Sequence, residues 1–74
     1  MMQSKVLRKI EELSEERERI LSRESEHHAT AADHARLKEI EHSLEVLWDL
    51  RRRELAGEDI DPDEDFYDQY DRYR

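Results

Sequence analysis

Glutamate–histidine pairs are the residues of this chain best suited to chemistry. Four histidines occur in 74 residues, and two of them follow a glutamate by three positions, as Glu24–His27 and Glu39–His42. On a helix this spacing places both side chains on one face, as in the ligand pairs of di-iron bundles. Because 13 of the 74 residues are glutamate, any histidine has close to a one-in-six chance of a glutamate three positions before it, and two such pairs among four histidines are unremarkable. A metal-binding bundle using these four residues is therefore the alternative hypothesis, and incidental capture by His27 and His28 is its simplest form.

Alternating aspartates near the C-terminus resemble a calcium-binding loop but fail its requirements. Counting from Asp59, the sixth position is Glu64, where the loop needs glycine, and the twelfth is Tyr70, where it needs a glutamate. Pro62 also lies inside this segment. We interpret these acids as helix-capping and solubilising residues, and the favoured reading assigns the protein no cofactor.

Catalysis and nucleic-acid binding have little support. The chain has no cysteine, no glycine-rich phosphate loop and no nucleophile–base spacing above chance. Residues 51–53 are three arginines, but eight acids follow them closely, and the net charge is −8. We expect a non-enzymatic protein that binds neither nucleic acid nor membranes.

The composition is typical of long, exposed helices. Charged residues make up 46% of the chain and apolar residues 35%, with one glycine and one proline. No apolar run approaches the ~18–20 residues that span a bilayer, and the N-terminus lacks the apolar core of a signal peptide. We expect an all-α, cytoplasmic protein.

The first half of the chain predicts one amphipathic helix over residues 4–26. Its apolar positions advance by four and three residues, which is the period of one helix face. Arg17 stands in this line, where its methylenes can cover apolar surface while its charge reaches water. The line consists of Val6, Ile10, Leu13, Arg17 and Ile20, with Leu7 and Leu21 beside it.

A second helix is predicted over residues 31–56 after a break at residues 25–32. Thr30 is a candidate N-cap, with Asp33 three positions on in place of the usual glutamate of a capping box. Gly57 supplies the C-terminal cap. Because two long helices are joined by a short connection, residues 1–57 should form an antiparallel, coiled-coil-like hairpin.

The apolar surface of the second helix is broader than one partner helix would cover. Two adjacent apolar lines run along this helix, and Val46 and Leu50 add further apolar surface to them. One line passes through Leu37, Ile40, Leu44 and Leu47, and the other through Leu44, Trp48 and Leu55. This width predicts self-association: a homodimer in which two hairpins form a four-helix bundle, with a higher oligomer as the second possibility. The expected self-association residues are Leu37, Ile40, Leu44, Leu47, Trp48 and Leu55.

Residues 58–74 form an acidic tail that should contain a third helix over about residues 62–73. Asp61 and Pro62 are typical of an N-cap and a first helical position, and acids follow in the first turn. We expect this helix to dock near Trp48 and Leu55, on the same chain or on a neighbour. Its aromatic residues are the candidates for binding a protein partner: Phe66, Tyr67, Tyr70 and Tyr73.

The second half of the chain resembles an actinobacterial family of small proteins known as domain of unknown function 2630. The likeness lies in a leucine-rich, Trp-Asp-Leu-containing helix that ends in arginines and is followed by an acidic Asp-Pro segment. The histidine-rich loop departs from that pattern. The residues that carry the resemblance are Leu37, Leu44, Trp48, Asp49, Leu50, Arg51, Arg52 and Asp61-Pro62-Asp63. The resemblance implies an all-helical architecture and no activity, so the expected function is that of an adaptor or regulator.

Overall fold

The computed structural model describes residues 4–72, and within the last helix it describes the side chains of residues 62–67 and 70. The chain folds into three helices: α1 at Lys5–Ser25, α2 at Ala31–Leu55 and α3 at Pro62–Arg72. No strand occurs over residues 4–72. The predicted class, an antiparallel helical hairpin followed by a short helix, is confirmed.

Helix α1 begins and ends in hydrogen-bonded caps. The hydroxyl of Ser4 accepts a hydrogen bond from the amide of Leu7 at 3.1 Å. At the other end, the amide of His27 donates to the carbonyl of Glu24 and the amide of His28 to that of Arg23, at 3.0 and 2.8 Å. This is a Schellman motif, whose left-handed residue is commonly glycine. Here that residue is His27, with φ of 63°.

Helix α2 has the capping box that the sequence predicts. The hydroxyl of Thr30 accepts from the amide of Asp33, and the Asp33 carboxylate accepts from the amide of Thr30, both at 3.1 Å. The helix ends in a second Schellman motif, in which Gly57 has φ of 99° and its amide donates to the carbonyl of Glu54. The two long helices therefore end in the same turn with different residues at its left-handed position.

Helix α3 begins at the aspartate–proline step. The Asp61 carboxylate accepts from the amide of Asp63 at 2.9 Å, and the Asp65 carboxylate accepts from the amide of Asp61 at 2.9 Å. Pro62 lacks an amide hydrogen and therefore suits the first helical position. The sequence predicted this start.

Polar contacts join α1 and α2 along their length and fix them as antiparallel. Near the turn, the Arg23 guanidinium makes two hydrogen bonds to Asp33, at 2.8 and 3.2 Å. Further along, Arg36 makes two to Glu16, at 2.6 and 3.0 Å. At the open end, the Ser4 hydroxyl donates to Glu54 at 2.6 Å.

The core lies where all three helices meet. Five buried side chains come from α1 and α2, and partly buried side chains of all three helices and of the loop before α3 pack against them. The buried residues are Val6, Ile10, Val46, Leu47 and Leu50, and the partly buried ones include Leu13, Leu44, Ile60, Phe66 and Tyr70. Ile20 and Ile40 are buried nearer to the turn.

The expected docking place of the third helix is wrong. Phe66 and Tyr70 pack against the cluster that contains Val46 and Leu50, whereas Trp48 remains 48% exposed and Leu55, beyond it, 69% exposed. Two residues along a helix turn the side chain by about 200°, so Val46 and Leu50 lie almost opposite Trp48. Helix α3 therefore covers the far side of α2 and leaves the Trp48 side open.

Candidate interaction surface

A partly uncovered apolar line runs along α2. Leu37, Leu44, Trp48 and Leu55 are separated by 7, 4 and 7 residues, so at about 100° per residue they stay within ~20° of one line. Leu37 and Leu44 are half-buried, and the other two are exposed. Exposed apolar residues in a continuous line are typical of an interaction site, whereas single ones are ordinary.

Helix α1 adds two leucines to the same side of the molecule. Lys9, Glu12 and Glu16 border a groove next to α3, so the other flank of α1 faces away from α3. Leu7 and Leu21 lie on that flank and are half-buried. We call the combined surface the open face; it consists of Leu7, Leu21, Leu37, Leu44, Trp48 and Leu55.

Two of the predicted self-association residues do not belong to the open face. Ile40 is 0% exposed and Leu47 is 2% exposed, so neither reaches a second copy while the hairpin is intact. The apolar periodicity of α2 does not distinguish Ile40 and Leu47 from the open-face residues. It indicates which side chains are apolar enough to be buried, but not whether α1, α3 or a second copy buries them. Leu7 and Leu21 were visible in the sequence only as residues beside the main line.

Charged residues of α2 border the open face along one flank of its apolar line. Lys38, Glu41, Glu45 and Arg52 are all exposed, and their formal charges cancel. Arg17 of α1 approaches Glu41 at 3.9 Å. Arg52 donates a hydrogen bond to Asp49 at 2.8 Å. Despite these contacts, the side chains of Glu41 and Arg52 remain 51% and 68% exposed. The border therefore offers equal numbers of acids and bases to a partner.

The groove between α1 and α3 has a volume of about 380 Å³ and an apolar floor that includes Leu47 and Phe66. Part of its charged edge is paired within the chain: Arg36 bonds to Glu16 and to Glu39, the latter at 3.0 Å. The hydrogen bond from Arg36 lowers the pKa of the Glu16 carboxyl and raises the pKa of the guanidinium itself. These three charged side chains are therefore already paired within the chain.

The candidate metal ligands are not brought together. Glu24 and His27 are exposed at the turn end of the hairpin, while Glu39 pairs with Arg36. His42 lies farther along α2 and packs edge-on against Tyr70, with ring centroids 4.2 Å apart. Within residues 4–72, where side chains are described, no three His, Cys, Asp or Glu residues lie close enough to hold a metal ion.

The aromatic residues of α3 divide between the core and the surface. Phe66 and Tyr70 are half-buried, with ring centroids 5.5 Å apart, and so contribute to this chain's own core. Tyr67 is 70% exposed. Tyr73, the fourth residue of the predicted partner site, lies outside the described residues.

In the part of the chain that the structure describes, no helix is long and apolar enough to cross a membrane.

Comparison with known proteins identifies the family without assigning an activity. A family model described as "Protein of unknown function (DUF2630)" matches residues 2–72. No curated protein and no solved structure matches the chain. The resemblance seen in the second half of the sequence is thereby confirmed and extends over nearly the whole chain, which belongs to the DUF2630 family of proteins of unknown function.

Proposed function

We propose that this protein is a small, non-enzymatic adaptor or regulator that self-associates through the open face. The observation that carries the proposal is the exposure of Trp48, 48%, and of Leu55, 69%, on one line of α2. Burying a side chain of this size stabilises by roughly 1.5–3 kcal/mol, and tryptophan is prominent among residues that dominate interfaces. A chain of 74 residues has a small core of its own and gains from such burial.

The proposed assembly is a homodimer in which two hairpins build a four-helix bundle, in the cytoplasm. The placement of α3 supports it, because that helix leaves one side of the hairpin uncovered. A higher oligomer would use the same open face.

Sedimentation velocity at low micromolar concentration tests the proposal. The wild-type chain should sediment as a dimer. Trp48→Glu should give a folded monomer, because it places a charge in the centre of the open face. Tyr67→Glu is the matched control, since Tyr67 is similarly exposed but lies on α3, and this variant should stay dimeric. A folded wild-type monomer would refute self-association.

The tail is proposed to bind a basic protein partner through Tyr67 and the exposed acids Asp63 and Glu64. Their exposure supports this role. Because deletion of residues 58–74 would uncover Val46 and Leu50, a point variant is the cleaner test. Partner capture from native lysate should be reduced by Tyr67→Ala and unaffected by Leu55→Ala.

A metal-binding bundle is the competing class, and no observation favours it over the adaptor. Calorimetric titration with Zn(II) and Fe(II) separates the two, because specific binding with defined stoichiometry would support the metal class.

A further inference from the structure

The spacing of the open face is symmetric about residue 46. Leu44 and Trp48 lie two residues on either side of this position, and Leu37 and Leu55 lie nine residues on either side. A helix with this spacing matches an identical helix that runs in the opposite direction, because reversal maps each apolar position onto another apolar position.

We propose that two copies of the chain pack α2 against α2 in antiparallel orientation, about a two-fold axis at the level of residue 46, with Glu41 of each copy bonded to Arg52 of the other. This inference rests on the proposed self-association and specifies its partner and register. Leu44 then lies level with Trp48 of the second copy, and Leu37 with Leu55 of the second copy. A two-fold contact of this kind is self-complementary.

The charges bordering the open face fit the same register. Glu41 lies five residues before the axis and Arg52 six residues after it, so reversal brings them to within about 1.5 Å of the same height. Both lie on the same flank of the apolar line, about 40° and 60° from it. A two-fold axis perpendicular to both helices keeps equal flanks together. The acid of one copy therefore faces the base of the other, twice by symmetry.

A parallel arrangement lacks this pairing. Each residue would then lie level with the same residue of the other copy. Glu41 of one copy and Arg52 of the other would be 11 residues apart, or about 16 Å along the axis. Antiparallel packing also balances the border near the axis, where the two copies of Glu45 are flanked by Lys38 and Arg52 from each chain.

The position of α3 removes an electrostatic obstacle. Each copy has a net charge of −8, concentrated in residues 57–74. Because α3 packs on the side of α2 opposite Trp48, the acids in its first turn, Asp63, Glu64 and Asp65, lie on the outside of the proposed dimer. Separation beyond a Debye length, about 8–10 Å at physiological salt, screens their repulsion.

Charge reversal tests the pairing. Glu41→Arg and Arg52→Glu should each weaken the homodimer at low salt, by about fivefold in dissociation constant, since each faces two like charges across the axis. An equimolar mixture of the two variants should form a heterodimer about as tight as the wild type, because both cross-axis pairs are then complementary. Helicity measured by circular dichroism controls for folding. Equal dissociation constants for the variants, the mixture and the wild type would refute the pairing.

Distances between spin labels test the direction. The chain has no cysteine, so Glu45→Cys and His34→Cys each give one label per copy, at exposed positions. Antiparallel packing predicts a short distance for residue 45 and a separation of about 36 Å along the axis for residue 34. Short distances at both positions in a dimer would refute the antiparallel register while leaving self-association intact. A wild-type monomer would refute both proposals.

Discussion

Helices α1 and α2 end in the same hydrogen-bonded turn, yet the left-handed position is His27 in one and Gly57 in the other. In this left-handed conformation a residue with a Cβ destabilises the folded state by about 1–2 kcal/mol through steric strain. Glycine avoids this strain but loses more backbone entropy on folding, which costs roughly 0.5–1 kcal/mol. The difference predicts that His27→Gly stabilises the chain by about 0.5–1 kcal/mol. For a domain of this size that corresponds to a rise in Tm of about 2–8 °C.

The reverse change at Gly57 should have the opposite sign. A Cβ built on Gly57 meets no atom within 4 Å, so the cost of Gly57→Ala comes only from the backbone conformation. We expect a loss of about 1 kcal/mol.

Urea unfolding followed by circular dichroism measures both variants, at one fixed protein concentration because association shifts apparent stability. His28→Gly is the control: it makes the same substitution one residue outside the left-handed position, and it should give no gain. If His27→Gly lowers the free energy of unfolding, the side chain of His27 contributes more stability than its left-handed backbone conformation costs. That result would refute the expected gain.

Three further changes test the core and its polar contacts. Leu50→Ala removes a side chain that is 0% exposed and should lower the free energy of unfolding by about 2–5 kcal/mol, measured by thermal unfolding. Leu55→Ala in dilute protein is the control and should cost about 0.5 kcal/mol or less. Equal losses for the two variants would contradict the assigned core. The hydrogen bond from the Arg23 guanidinium, and secondly the one from the backbone amide of Thr30, lower the pKa of the Asp33 carboxyl from 3.8 to about 2. The stability that ionised Asp33 contributes is therefore complete above about pH 4 and is lost as the pH falls towards 2. Acid unfolding of Asp33→Asn should lack this component, and an unchanged acid transition would speak against it. The Nε2 atom of His42 is buried without a hydrogen-bond partner, so His42→Phe should raise the unfolding free energy by about 1 kcal/mol; a decrease would show that the nitrogen is solvated.

Local signals in the sequence predicted the helices well, because each cap is set by a few neighbouring side chains. The start of α2 is fixed by the Thr30 hydroxyl and the Asp33 carboxylate, and the start of α3 by the aspartate–proline step at Pro62. Neither signal requires a tertiary contact. The break at residues 25–32 was predicted, but the left-handed conformation of His27 within it was not, since the usual residue in that conformation is glycine.

The identity of covering elements was harder to predict than burial itself. The sequence marks Leu50 and Trp48 alike as apolar residues of α2, but α3 covers only the first. The choice depends on the path of residues 56–61, which returns α3 along one side of α2. That path results from the packing of Phe66 and Ile60, and the periodicity of α2 contains no information about it.

The bonds between α1 and α2 also determine which of several alignments the hairpin adopts. The apolar line of α1 repeats about every seven residues, so sliding one helix past the other by about 10 Å would match apolar side chains nearly as well. Such a slip would break Arg23 from Asp33, Arg36 from Glu16 and Ser4 from Glu54 at once. Exposed ion pairs contribute little stability singly. Distributed along the hairpin, they penalise every shifted alignment together, and they thereby keep Leu7 and Leu21 of α1 at fixed heights beside the apolar line of α2.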